Sequence, residues 1–265
     1  PARASVGAVR DYLLGVVLIN GRAELLTFGG QVMKNVAGYD VSRLMAGAWG
    51  TLGLLTEVSL KVLPVAPAEA TLRFECNQAD ALRKLHTWGG QPLPLNASCW
   101  VEDAGVGQLY VRLRGAVAAV DAACKSMGGT RLDNATAAPD WQACREQTLP
   151  WFAARLARPG QALWRLSLPA TAPVLALPGG VSPLVEWHGA LRWVQAPLAH
   201  GDVLREAARA VGGSASLFIA DGAGGERAGG QFDLKSAALE QIHARLKHSF
   251  DPAGIFNPGR MAPQW

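Results

Sequence analysis

From Val9 to Ile19 the chain (VRDYLLGVVLI) is almost unbroken in apolar and β-branched residues, halts at Asn20-Gly21, and resumes over Glu24–Phe28. This pattern predicts strand, tight turn, strand, with Asn-Gly supplying the positive φ angles of a hairpin. Asp40–Ala46 (DVSRLMA) starts on an N-capping residue and predicts about two turns of helix. Glycines 47, 50 and 53 break it, and Leu54–Leu63 follows as a strand in which Thr56, Glu57, Ser59 and Lys61 interleave with apolar residues. Pro64 and Pro67 cannot continue a central ladder and mark a domain boundary.

Beyond that boundary the pattern predicts a strand at Ala70–Glu75, a helix at Gln78–Trp88 and paired strands at Cys99–Asp103 and Gln108–Leu113. It continues with a helix at Ala116–Met127 and another at Trp141–Leu156, interrupted at Pro150. Strands at Ala162–Leu168 and Leu191–Gln195 flank a Pro- and Ala-rich loop. The loosely repeated β-α-β-β-α order across 70–220 implies an antiparallel sheet backed by helices, an α+β unit. Ala220–Gly230 reads as a Gly-rich linker to a final helix at Leu234–Lys247.

With 265 residues, 49% of them hydrophobic, the chain can bury a large core. Its longest apolar stretches, Tyr12–Ile19 and Ala172–Pro178, are far shorter than the roughly 18 residues that span a bilayer. The net charge is +4, but the 25 basic and 21 acidic residues are interspersed, so no basic track for nucleic acid exists. Cys76, Cys99, Cys124 and Cys144 lie too far apart for a CxxC metal site or an iron–sulfur cluster and read as isolated thiols of a reducing cytoplasm. The chain opens at Pro1 in what reads as the middle of a folded unit, which leads us to expect an N-terminal truncation inside a domain.

Candidate chemistry centres on Gly50-Thr51-Leu52-Gly53, where bare backbone can approach a ligand. Lys34-Asn35 and Gly38-Tyr39-Asp40 add a cation, an amide, an aromatic ring and a carboxylate just upstream. Trp141, Trp151, Phe152, Trp187 and Trp193 read as core anchors. Arg145 and Arg192 could clamp a small carboxylate or form ion pairs with Glu146 and Glu186, the ion pairs being the favoured reading. His200-Gly201-Asp202 sits at a helix start that Asp202 could cap. His86, His188, His243 and His248 show no metal-ligand spacing, and no metal site is assigned.

The run KNVAGYDVSRLMAGAWGTLGLLTEVSLKVLP (34–64) resembles the end of the FAD-binding domain in FAD-linked oxidases of the vanillyl-alcohol oxidase/p-cresol methylhydroxylase (PCMH) type, whose D-lactate and glycolate branch reads K-x-x-x-G-Y-D-L-x-x-L-x-x-G-S-x-G-T-L-G-I-I-T-E. The resemblance implies backbone contacts to FAD at Gly50, Thr51, Gly53 and Leu54. ASVGAVRDYLLGV (4–16) is similar to the segment packed on the flavin side, implicating Ser5, Gly7, Ala8, Arg10 and Asp11. FDPAGIFNPGR (250–260) resembles the C-terminal return to the flavin, implicating Asn257 and Arg260. WQACREQTLPWF (141–152) and WHGALRWV (187–194) are similar to the cap of the E subunits of bacterial glycolate oxidases. Two departures stand out: Gly47-Ala48-Trp49-Gly50 replaces Gly-Ser-Glu-Gly, and His200-Gly201-Asp202 lacks the rest of a His-Gly-Asp-Gly-Asn-x-His motif, so no catalytic residue is assigned.

The resemblance implies an α+β fold, the second half of a PCMH-type FAD-binding domain plus an antiparallel-sheet α+β cap. Residues 1–66 would complete the FAD domain, 67–230 form the cap, and 231–265 return to the FAD domain. It further implies an FAD-binding subunit of a complex that oxidises glycolate, or another small 2-hydroxy acid, with a homologous FAD-binding catalytic subunit and an iron–sulfur subunit as partners. The alternative is a structural or electron-relay subunit of such a complex. The family's pyrophosphate loop lies in the first half of the FAD domain, so this stretch alone is expected to hold FAD poorly or not at all. A bacterial cytoplasmic location, with at most peripheral contact to the inner face of the membrane and no nucleic-acid partner, completes the expectation.

Overall fold

The computed structural model describes residues 1–30, 40–158, 160–220, 232–233 and 236–262. Along the chain run α1 (Arg3–Val6), β1 (Leu13–Ile19), β2 (Leu25–Gly29), α2 (Val41–Met45) and β3 (Leu54–Leu60), then β4 (Ala68–Glu75), α3 (Gln78–Gly89), β5 (Leu95–Asp103), β6 (Val106–Gly115), α4 (Val117–Met127) and β7 (Thr130–Leu132). They are followed by α5 (Asn134–Glu146), α6 (Pro150–Ala153), β8 (Gln161–Ser167), β9 (Leu184–Glu186), β10 (Leu191–Pro197), α7 (Gly201–Ala210), β11 (Ser214–Ile219) and α8 (Ala237–Phe250). The α+β class is as expected. No helix among the described residues is long and apolar enough to cross a membrane.

The chain divides into two compact units, one of Pro1–Val6 and Val65–Arg227, the other of Gly7–Pro64 and Ala228–Trp265. The second holds an antiparallel sheet in the order β2-β1-β3. Leu13, Val16 and Leu18 of β1 pack with Met45, Ala48 and Leu52, and Leu246 and Phe250 of α8 close over them. β3 is an edge strand whose Leu54, Leu55, Val58 and Leu60 are exposed.

The first unit is an eight-stranded sheet, β11-β8-β10-β9-β5-β6-β4-β7, antiparallel at each pairing. Strand alternation sends neighbouring residues to opposite faces. Trp100 thus joins the core under α3 and α4, and Trp164 the core under α7, whereas Cys99 and Leu163 face α5, Phe152 and Trp193.

Several expected boundaries move. Val9–Asp11 is a 3-10 turn, because the Asp11 carboxylate accepts the Ala8 N–H at 2.6 Å, and the strand begins at Leu13. The hairpin forms, but its loop is 20–24 and its positive φ falls on Ala23. The Asn20 side-chain oxygen accepts the N–H groups of Arg22 and Glu24 and shapes that loop. Gly21 is needed for space instead: its N–H donates to the Phe250 carbonyl at 2.8 Å, and a Cβ would sit 2.7 Å from the Asp251 Cα. The helix expected from Trp141 begins at Asn134, capped by Asp133 onto the Thr136 N–H at 3.0 Å and accommodating Pro139, and it ends at Glu146 where Gln147 is left-handed. The final helix begins at Ala237 on a Ser236 cap. β9, β11 and the extent of α7 were not foreseen. The Gly-rich stretch 221–230, Lys34-Asn35 and Gly38-Tyr39 lie outside the described residues.

Candidate functional site

In the unit that contains Gly7–Pro64, the Gly50–Gly53 turn and the C-terminal segment meet. Asn257 Nδ2 donates to the carbonyls of Trp49 at 2.9 Å and Gly50 at 3.3 Å, and Arg260 stacks over the Trp49 ring at 5.1 Å. Trp49 has a φ of 55° and Gly50 of 67°; at Gly50 a Cβ would come within 2.7 Å of Asn257 Nδ2. Gly53 passes so close to β1 that a Cβ would stand 2.7 Å from the Ile19 carbonyl oxygen. Gly50 and the side chain of Leu54 are exposed. Thr51 differs from expectation: it is buried, its N–H and hydroxyl both donate to the Ala48 carbonyl, at 3.0 and 2.7 Å, and its own carbonyl accepts from Lys247. It holds the turn and offers no donor outward.

Sequence reasoning missed Lys247. Its Nζ is buried and donates to the Thr51 carbonyl at 2.8 Å, the Phe256 carbonyl at 2.7 Å and the Asp251 carboxylate at 2.5 Å. Asp251 in turn accepts the N–H groups of Ile255 and Phe256 at 3.0 and 2.7 Å. One ammonium therefore ties α8, the tail that carries Asn257 and the glycine turn together. A signal was present: Asp251 closes α8, where a carboxylate opposes the helix dipole unless a cation holds it.

Gly7–Asp11 is a self-capped turn in the same unit; Gly7 has a φ of 92°, Ala8 donates to Asp11, and Arg10 is exposed. Ser5 instead belongs to the sheet unit, where its Oγ lies 3.0 Å from His188 Nε2. His188 donates its backbone N–H to Ser98 Oγ at 2.9 Å, and its buried Nδ1 has no partner among the described residues. The neutral ring is therefore best satisfied with its proton on Nε2, donated to Ser5 Oγ, which leaves the exposed Ser5 O–H free to donate elsewhere. Trp187, His188 and Gly189 have φ of 52°, 54° and 101°. Two successive left-handed non-glycine residues cost about 1–3 kcal/mol each, and such strain gathers at functional sites.

Around this turn stand two cations. The guanidinium carbons of Arg3 and Arg165 lie 4.7 and 5.0 Å from the Trp187 ring centroid. Neither arginine has a carboxylate within ion-pair distance among the described residues. The nearby buried Glu186 accepts from Trp193 Nε1 at 2.7 Å and Cys144 Sγ at 3.3 Å.

The arginines singled out from sequence turn out differently. Arg145 pairs with Glu146 at 2.8 Å, as favoured, but Arg192 is wholly buried and donates to the Pro173 and Ala172 carbonyls at 2.6 and 2.7 Å rather than to Glu186. Burial pushes its pKa down to about 10. Asp202 does not cap α7; its exposed carboxylate meets Arg205 at 3.2 Å. Cys99 and Cys144 are not isolated. The Cys99 thiol, burial and Glu186 together raise the Cys144 thiol far above the ordinary range, and both cysteines line a cavity of 460 Å³ with Tyr110, Trp141, Leu149 and Trp151.

Burial lowers the His188 pKa. The unfolded chain takes up this proton near the ordinary value of about 6.5, the folded chain only at lower pH, so stability is lost as the pH falls below that value. Thermal melts between pH 7 and pH 5 should show a decline that shrinks in His188→Gln, whose amide reaches the Nε2 position. An identical decline in both proteins would rule out this origin.

No family model matches the chain. Glycolate oxidase subunit GlcE of Escherichia coli (strain K12) is 44% identical over 261 residues, covering 98% of this chain and 68% of that subunit. Glycolate oxidase subunit GlcD of Bacillus subtilis (strain 168) is 39% identical over 75 residues, covering 28% of this chain and 16% of GlcD. Among solved structures, alkyldihydroxyacetonephosphate synthase matches 97% of this chain and 55% of its own with a TM-score of 0.58 at 14% identity, a likeness of fold alone.

Proposed function

Because the chain belongs to the family of the glycolate oxidase subunit GlcE, we propose that it is the FAD-binding E-type subunit of a complex that oxidises glycolate or a similar small 2-hydroxy acid. The observation that carries this reading is the junction of the Gly50–Gly53 turn with Asn257 and Arg260, braced by Lys247. Bound flavin would supply the redox chemistry, accepting a hydride from the substrate's α-carbon.

The residues present fit such a group. Exposed backbone at Gly50 and the exposed Leu54 beside Gly53 leave room for a flat ring, with the Asn257 amide packed against Gly50. Asn257 fixes the turn through two carbonyls, and Arg260 holds Trp49. Gly7, Ala8, Arg10 and Asp11 would form a second rigid turn on the flavin side. The unit with Gly7–Pro64 would be the second half of the FAD domain, and the eight-stranded sheet the cap. A homologous FAD-binding subunit and an iron–sulfur subunit would be its partners in the bacterial cytoplasm.

A relay or structural role is the second reading, motivated by His200-Gly201-Asp202, whose aspartate is spent on a surface pair with Arg205. The full-length protein should carry a flavin band near about 450 nm that glycolate bleaches under anaerobic conditions. Flavin that glycolate cannot reduce would favour the relay; absence of flavin would reject the cofactor reading.

A further inference from the structure

We propose that Arg165 and Arg3, set around Trp187, form an anion-recognition site that takes the carboxylate of a small 2-hydroxy acid. Both guanidinium groups approach one indole, at 4.7 and 5.0 Å, so the two cations stand within about 10 Å of each other, near enough to repel measurably. Among the described residues no carboxylate pairs directly with either: Glu186, whose charge acts on Arg165 without an ion pair, accepts hydrogen bonds from Trp193 and Cys144, and every arginine–carboxylate pair lies elsewhere.

Arg165 is the more informative of the two. It projects from β8 beside Trp193, its cross-strand neighbour, and is half-buried, so water only partly solvates its charge. Burial first and Arg3 second press its pKa below the usual range, with Glu186 opposing weakly. A bound carboxylate would relieve both effects and could accept two parallel N–H bonds from the planar fork, which an ammonium cannot offer. The strained Trp187–His188–Gly189 turn holds the indole in place, and the Ser5 hydroxyl on His188 extends the polar rim. The choice of a 2-hydroxy acid rests on the reading given above, while the anion site rests on this unit alone.

The test is calorimetric titration of the full-length protein with oxalate at fixed ionic strength. Wild type should bind it; Arg165→Met should weaken binding roughly 10- to 100-fold, and Arg165→Lys by less, because charge survives without the fork. Arg3→Met, which alters an exposed side chain and should fold normally, is expected to weaken it roughly 3- to 10-fold and decides the matter if Arg165→Met does not fold. Failure of wild type to bind oxalate, or affinity indifferent to the substitutions, would overturn the site. Inorganic phosphate binding more tightly than oxalate through the same arginines would overturn the carboxylate assignment. Flavin absorbance read on the same samples separates the two proposals: oxalate binding through Arg165 without flavin rejects the cofactor reading and keeps this one, and flavin with arginine-independent oxalate affinity does the reverse.

Discussion

Lys247→Met is expected to destabilise the unit of Gly7–Pro64 and Ala228–Trp265 by about 3–5 kcal/mol in urea unfolding, because it leaves the Asp251 carboxylate buried without its cation. Two carbonyls, of Thr51 and Phe256, lose a donor at the same time. The pH dependence should change too. Burial alone would raise the Asp251 pKa, but the hydrogen bonds from Lys247 and from the Phe256 and Ile255 N–H groups outweigh it and hold the carboxyl below its usual value. A depressed carboxyl stabilises the fold above the unfolded value of about 3.9 and loses that contribution as the pH drops through the folded one. In Lys247→Met the lysine's share of the depression is lost and acid unfolding should begin at milder pH. Adding Asp251→Asn, which removes the stranded charge while keeping an acceptor for the two N–H groups, should restore part of the loss. A cost under about 1 kcal/mol for the single variant would contradict a desolvated pair.

The second large effect belongs to Trp193 in the sheet unit. It is buried, packs edge-on with Phe152 and Phe218 at 5.7 and 4.9 Å, and donates Nε1–H to Glu186. Trp193→Ala should cost about 3–5 kcal/mol in lost packing. The stranded Glu186 oxygen adds to that. Trp193→Phe keeps a ring and removes the donor, so its cost should be about 1–3 kcal/mol. If both variants unfold at the same urea concentration, the hydrogen bond rather than the packing dominates.

What could be read in the sequence follows from how each element is stabilised. β1, β6, β8 and β10 draw on closely spaced large apolar residues, and their pattern survives without tertiary information. β11 (SASLFI) begins with small residues, and α7 (GDVLREAARA) buries only Gly201, Leu204 and Ala208, so neither displays a wide apolar stripe. The boundary at Pro64 was visible because proline chemistry is local. The cofactor segments at Gly50–Leu54 and Asn257–Arg260 could be recognised as motifs, but their joining through Lys247 could not, since a lysine in a helix's last turn usually points to water. Arg165 was hidden for a similar reason: in LWRLS it looks like the solvent face of a strand, and only the fold brings Arg3 and Trp187 to it.

The bond from Lys247 to Thr51 joins residues 196 positions apart in sequence. During synthesis at about 5–20 residues per second, roughly 10–40 s pass between the emergence of the two. Over that interval Leu13, Val16 and Leu18 have no Leu246 or Phe250 to cover them. The sheet unit, contributed almost entirely by the intervening chain, can complete its core first. The nascent chain therefore carries an unfinished apolar face until α8 is made, and that window is when chaperones or proteases would meet it.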